Sequence, residues 1–103
     1  DEEKLLRAIL NLIVNGIRHA NTKISLQIFK RNGATYITVE DDGEGIADEM
    51  MPHIFHRFVK GKNGETGLGL AISRAIIERS GGKITVDKST LGGAKFIITF
   101  PGN

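Results

Sequence analysis

The segment between Lys23 and Asp41 constrains the fold more than any other. In Lys23 to Lys30 (KISLQIFK), Ile24, Leu26 and Ile28 alternate with polar neighbours, Arg31-Asn32-Gly33 makes a turn, and Thr35 to Asp41 (TYITVED) alternates again. A period of two sends successive side chains to opposite faces, so the segment reads as a β-hairpin with one apolar face. That face has to be covered, and helical periodicity on both sides supplies the cover. From Asp1 to Ala20 the residues Leu5, Leu6, Ile9, Leu12, Ile13 and Ile17 recur at helical spacing, with acidic residues Asp1 to Glu3 at the end where a helix dipole favours them. Leu68 to Ser80 places Leu68, Ala71, Ile72, Ala75 and Ile76 on one face and stops at Gly81-Gly82. A shorter helical piece is expected over roughly Asp48 to Phe58, and strands over Lys83 to Asp87 and Lys95 to Phe100 around the turn TLGG. The stretch VKGKNGET lacks apolar periodicity and reads as a mobile loop.

These elements predict an α+β fold. It is a two-layer α/β sandwich with a mixed, mostly antiparallel sheet packed on about three helices, forming one domain over residues 1–103. A hydrophobic content of 40% is enough for a core, and the absence of Trp makes that core aliphatic. The net charge of +2 comes from interspersed acids and bases, so no nucleic acid partner is implied. Without cysteine there is no disulfide, thiolate metal site or thiol nucleophile, which fits a reducing compartment. The longest apolar run is far short of a membrane span, and no direct membrane contact is expected. The start DEEK is unlike a signal peptide and leads abruptly into a helix, as if upstream sequence had been cut away.

Two-layer sandwiches host many functions, so the polar constellations must decide. On the first helix Asn11, Asn15 and Arg18 fall on one side, with His19 at the edge. Amide oxygens ligate hard cations such as Mg²⁺, and a guanidinium near a helix end suits phosphate. A solvated face of an amphipathic helix reads the same way, and His19 alone reads as a cation helpful to the dipole. In Asp41-Asp42-Gly43-Glu44-Gly45, Asp41 shares strand parity with Ile37 and Val39 and so points inward, whereas Glu40 and Asp42 point elsewhere. An inward carboxylate needs a donor. The exocyclic amine of a purine would serve, and the glycines let a flat ring approach; a plain Asp/Gly turn remains the alternative, while calcium fits poorly because Gly43 stands where an oxygen ligand is needed.

The run GETGLGLAI matches neither the Walker nor the dinucleotide pattern. Gly67 and Gly69 nonetheless leave backbone N–H groups at a helix N-terminus, where phosphate is attracted, and form a hinge from which Lys60 and Lys62 swing toward it. A glycine-rich surface loop gives the same pattern.

Taken in order, the pieces resemble the ATP-binding catalytic domain of bacterial sensor histidine kinases, within the superfamily that includes DNA gyrase, Hsp90 and MutL. Asn11 to His19 resembles the N box, Asp41 to Gly45 the first glycine box, Ile54 to Phe58 the F box, and Gly64 to Leu70 the second glycine box. The resemblance implies that Asn15, with Asn11 beside it, holds Mg²⁺ and that Arg18 and His19 face the phosphates of ATP, Asn11, Asn15 and Arg18 being the catalytic set. It implies that Asp41 accepts from the adenine amine beside Gly43, Gly45 and Ile46. A lid from about Ala47 to Thr66 would hinge at Gly67 and Gly69 with Phe55 and Phe58 packing its base. Phe58, Lys60, Lys62, Thr66, Leu68 and Leu70 would complete the nucleotide contacts.

The implied activity is that of a protein-histidine kinase in two-component signal transduction, inactive alone for want of a phosphoacceptor. The implied partners are the dimerisation domain carrying that histidine and a response regulator. The implied location is cytoplasmic, whether or not the parent protein is anchored in the inner membrane. The strand that the family usually carries before the first helix is missing, which suggests a catalytic fragment of a longer sensor. Glu65, Leu91 and Ala94 depart from the pattern, the last two within a segment similar to GxGTxF, and they motivate the alternative of a weakened nucleotide-binding regulatory module. A hydrolysing ATPase is disfavoured, because the position of its water-activating glutamate is held by Asn11, an amide that takes up no proton at neutral pH. His53 and His56 share a helix face at i, i+3, but no third zinc ligand lies near in sequence.

Overall fold

A computed structural model of the chain describes residues 2–55 and 68–102. The elements are helix α1 (Glu2–His19), strands β1 (Ile24–Arg31) and β2 (Ala34–Asp41), a 3-10 helix (Met51–His53), helix α2 (Leu68–Arg79), and strands β3 (Lys83–Lys88) and β4 (Ala94–Phe100). The sheet order is β1-β2-β4-β3 and every pairing in it is antiparallel. The expected two-layer α+β architecture is therefore present. Among the described residues the sheet is wholly antiparallel, and two α-helices and a 3-10 helix accompany it. Where a shorter helical piece was expected, roughly Asp48 to Phe58, the described part closes short-range bonds such as Met50 N–H to Ala47 O (2.9 Å) and His53 N–H to Met50 O (2.9 Å), with Pro52 in the 3-10 helix, and residues 56–58 lie outside the described residues. Proline supplies no N–H for a longer ladder.

The β1–β2 turn has Asn32 at φ 52° and Gly33 at φ 84°. Two consecutive positive φ values give the primed turn whose twist matches the flanking strands, which is why Asn-Gly stands there. It fixes the register that sets Leu26 opposite Val39 and Ile28 opposite Ile37.

The core is Ala8 and Leu12 of α1, Ile77 of α2, and Ile37, Val39, Ile84, Ala94, Phe96 and Ile98 of the sheet. The helices meet closely: Ser73 is fully buried and its hydroxyl donates to the Ala8 carbonyl at 3.3 Å. The buried face of α2 thus runs through Leu70, Ser73 and Ile77, and the expected face through Ile72 and Ala75 is turned outward, Ile72 being 46% exposed. On α1, Leu5, Ile9 and Leu12 face inward as expected, but Leu6 and Ile17 join Leu10 and Val14 in an exposed apolar stripe. Leu26 and Ile28 of the edge strand β1 are also exposed.

One core polar atom is unsatisfied. Thr38 is buried and its hydroxyl finds no hydrogen-bond partner among the described residues. An orphaned hydroxyl costs free energy that an isosteric methyl does not. Thr38→Val is accordingly expected to stabilise the fold by about 1 kcal/mol, read as a rise in the midpoint of urea unfolding at unchanged slope.

Candidate functional site

The site is built where the end of β2, the start of β4 and the end of α1 converge. Asp41 is 3% exposed, on the inward parity the sequence predicts for it. One oxygen of its carboxylate, Oδ1, accepts from the backbone N–H of Gly43 at 2.9 Å and of Ala94 at 3.4 Å. Gly93 N–H donates to the Asp41 carbonyl at 3.1 Å. Among the described residues Oδ2 receives no donor, so a buried carboxylate is held by one oxygen and offers the other.

Two glycines make this arrangement sterically possible. A Cβ on Gly93 would overlap the Asp41 carboxylate and lie 2.7 Å from the Gly43 nitrogen. A Cβ on Gly43 would overlap the carbonyl oxygen of His19, the last residue of α1. Backbones approach here at distances that any side chain would prevent. Gly43 is thus the point where the helix end meets the acidic turn.

The β3–β4 turn holds Gly93 in place. Ser89 Oγ donates to Glu40 Oε1 at 2.7 Å and accepts from the Leu91 N–H at 3.0 Å, while Ser89 N–H donates to the Gly93 carbonyl at 2.8 Å. Beside it Lys88 Nζ pairs with Asp48 Oδ1 at 2.9 Å, which raises the lysine pKa through that hydrogen bond and charge. Gly45, Ile46, Ala47, Ser89 and Gly93 line an open cavity of about 420 Å³.

Asn11, Asn15 and Arg18 lie along one flank of α1, Asn11 and Arg18 exposed and Asn15 half-buried, and His19 is exposed at the helix end. Ile46 and Leu70 are half-buried against the core, and Leu68 and Gly69 open α2. Phe55 packs edge-on to Phe96 with ring centroids 6.1 Å apart, and the Arg74 guanidinium lies 5.7 Å from its ring. Phe58, Lys60, Lys62, Thr66 and Gly67, together with the proposed mobile loop and most of the proposed lid, lie outside the described residues. Among the described residues no cluster of three or more His, Cys, Asp or Glu could hold a metal ion, and no helix is long and apolar enough to cross a membrane.

Sequence reasoning missed Gly93 and Asp42. The glycine became visible as a constraint only when folding brought it to Asp41, 52 positions away. The Asp42 carboxylate accepts five hydrogen bonds, from Asn21, Thr22 and Lys23. The Thr22 hydroxyl, followed by the Lys23 and Thr22 amides, holds the Asp42 carboxyl well below the usual carboxylate range. A depressed folded-state value stabilises the fold fully above the ordinary carboxylate pKa, and that contribution is lost progressively as pH falls from there through the depressed value. The interaction is therefore constant across neutral pH.

The described chain is thus an antiparallel sheet under two helices, with a buried carboxylate at the junction of an asparagine-bearing helix and a glycine turn. The chain belongs to the family of histidine kinase-, DNA gyrase B- and HSP90-like ATPases, whose profile matches residues 1–103. It is 37% identical over 101 residues to the heme sensor protein HssS of Staphylococcus haemolyticus, covering 94% of this chain and 22% of that protein. It is similar in structure to the mycobacterial sensor histidine kinase MprB, with a TM-score of 0.87 and 27% identity over 100% of this chain and 73% of that one. Full-length ShkA in complex with AMPPNP gives a TM-score of 0.81 and 31% identity, covering 97% of this chain and 22% of that one. The chain thus spans less than a quarter of the length of HssS. Its relatives include sensor histidine kinases, and its fold is that of their catalytic domains.

Proposed function

We propose that this chain binds ATP with Mg²⁺ between α1 and the Asp41 turn, and transfers the γ-phosphoryl group to a histidine on a separate dimerisation domain. The observation that carries the reading is the Asp41 carboxylate, 3% exposed, fixed through Oδ1 and offering Oδ2. An adenine amine is a donor of the right kind for that oxygen. The likeness to full-length ShkA, crystallised in complex with AMPPNP, supports the same reading.

In it, Asn15 with Asn11 beside it holds Mg²⁺ through amide oxygens, a hard donor set suited to that ion. The ion supplies charge neutralisation at the phosphates. Arg18 and His19 bring positive or hydrogen-bonding groups to the same end of α1, Gly43, Gly45 and Ile46 flank the base, and Leu68, Gly69 and Leu70 with Lys60, Lys62, Phe58, Thr66 and Gly67 complete the phosphate side. An imidazole nitrogen of the acceptor attacks the γ-phosphorus, the bond to the β–γ bridging oxygen breaks, and ADP leaves. The nucleophile is already basic, so the chain needs no water-activating carboxylate, and Asn11 stands where one would be. A cytoplasmic location and a downstream response regulator follow from the same proposal.

Mixing the chain with a separately produced dimerisation domain and γ-labelled ATP tests it. The expected product is acid-labile phosphohistidine on the added domain, with no phosphate release by the chain alone. Nucleotide binding without phosphohistidine would favour the regulatory module, for which Ala94 speaks, since it bonds Asp41 through its amide yet carries no hydroxyl toward the base.

A further inference from the structure

Asp42 offers nothing to the purine slot, because its side chain turns to the loop that follows α1. Oδ1 accepts from the backbone N–H groups of Asn21 at 2.9 Å, Thr22 at 3.0 Å and Lys23 at 3.0 Å. Oδ2 accepts from the Thr22 N–H at 3.2 Å and its hydroxyl at 2.6 Å. The connection is closed from the other side as well: Asn21 Nδ2 donates to the Asp42 carbonyl at 3.1 Å, and Asp42 N–H donates to the Lys23 carbonyl at 3.3 Å. Three successive amides converging on one anion form a nest, and charge-assisted bonds of this kind are the strong ones.

The two ends of this clamp are the two ends of the proposed site. On one side the loop begins directly after Arg18 and His19; on the other, Asp42 is the covalent neighbour of Asp41. The His19 carbonyl also lies against Gly43. We propose that Asp42 is a positioning residue, setting the spacing between the phosphate-facing end of α1 and the purine-facing carboxylate. The inference rests on the ATP reading of the site and deepens it by separating a residue that touches the ligand from one that spaces its two anchors.

A ligand that uses Asp41 alone is indifferent to where α1 ends, whereas a ligand that spans both anchors is not. Loss of the clamp should therefore weaken long ligands selectively, which general destabilisation would not do. Displacement of an anchor by an ångström is enough to matter on the scale of about 10- to 100-fold.

Calorimetric titration of the full chain with Mg²⁺–AMPPNP and with adenosine tests this for Asp42→Ala and Asp42→Asn. Asp42→Ala should weaken Mg²⁺–AMPPNP by about 10-fold or more while changing adenosine binding by less than about 3-fold. Asp42→Asn keeps an acceptor oxygen for the three amides and should rescue most of the loss. If Asp42→Ala fails to fold, Thr22→Val, which removes only the hydroxyl bond, should show the same selectivity at smaller size. Equal weakening of both ligands, or of neither, overturns the proposal.

Amide hydrogen exchange on the ligand-free chain separates failure of the clamp from failure of the ATP reading. Asp42→Ala should speed exchange in the last turn of α1 as well as at Asn21 to Lys23. Wild-type protein that binds neither ligand would sink the ATP reading; the clamp then stands if the last turn loosens and falls if the change stops at Asn21.

Discussion

Asp41→Asn is expected to weaken ATP binding by about 1.5–3 kcal/mol, roughly 10- to 150-fold, while leaving the melting temperature nearly unchanged. The substitution preserves shape, and the amide oxygen can still accept from Gly43 and Ala94 as Oδ1 does now. The group placed at Oδ2 then becomes an NH₂, which sets donor against donor at the adenine amine and removes the charge that strengthened the bond. Titration with AMPPNP beside a thermal melt measures both quantities. Unchanged affinity would take Asp41 out of the site.

Gly93→Ala is expected to cost the fold about 1–3 kcal/mol and to abolish measurable nucleotide binding. The new methyl would occupy space held by the Asp41 carboxylate and press on the Gly43 nitrogen, so the carboxylate must rotate or β4 must move. Either change breaks the bond from the Ala94 amide. Gly81→Ala is the internal control. Gly81, just past the end of α2, has φ 86° and nothing within 4 Å of a built Cβ, so substitution there strains the backbone away from the cavity that Gly93 lines. Chemical unfolding and AMPPNP titration of the pair should show both variants destabilised and only Gly93→Ala defective in binding. If both bind normally, the steric reading of Gly93 is wrong.

Local chemistry made much of the architecture legible. The alternation in Lys23 to Asp41 together with Asn32-Gly33 specified a hairpin down to its turn, because positive φ at two adjacent residues restricts both sequence and geometry. Strand parity placed the Asp41 side chain indoors for the same reason, since period two leaves only two faces. Helix faces were less legible. In α1 apolar residues cover more than one flank, so spacing alone could not say that Leu12 would be buried, with Ala8 beside it, while Leu6 and Ile17 of the same expected set stay exposed. In α2 the buried stripe includes Ser73, whose hydroxyl is satisfied by a carbonyl of another helix 65 positions away, a partner no local window contains. Gly93 and the Asp42 clamp escaped for that reason too: their meaning is a contact between segments distant in sequence.

The two halves of the slot are welded by strand pairing, with Glu40 set opposite Lys95 and the Asp41 carboxylate bonded to the amide of Ala94. Their separation is set by backbone hydrogen bonds that side-chain substitutions leave in place, so Asp41 and the start of β4 should keep their register even when the residues around them are exchanged.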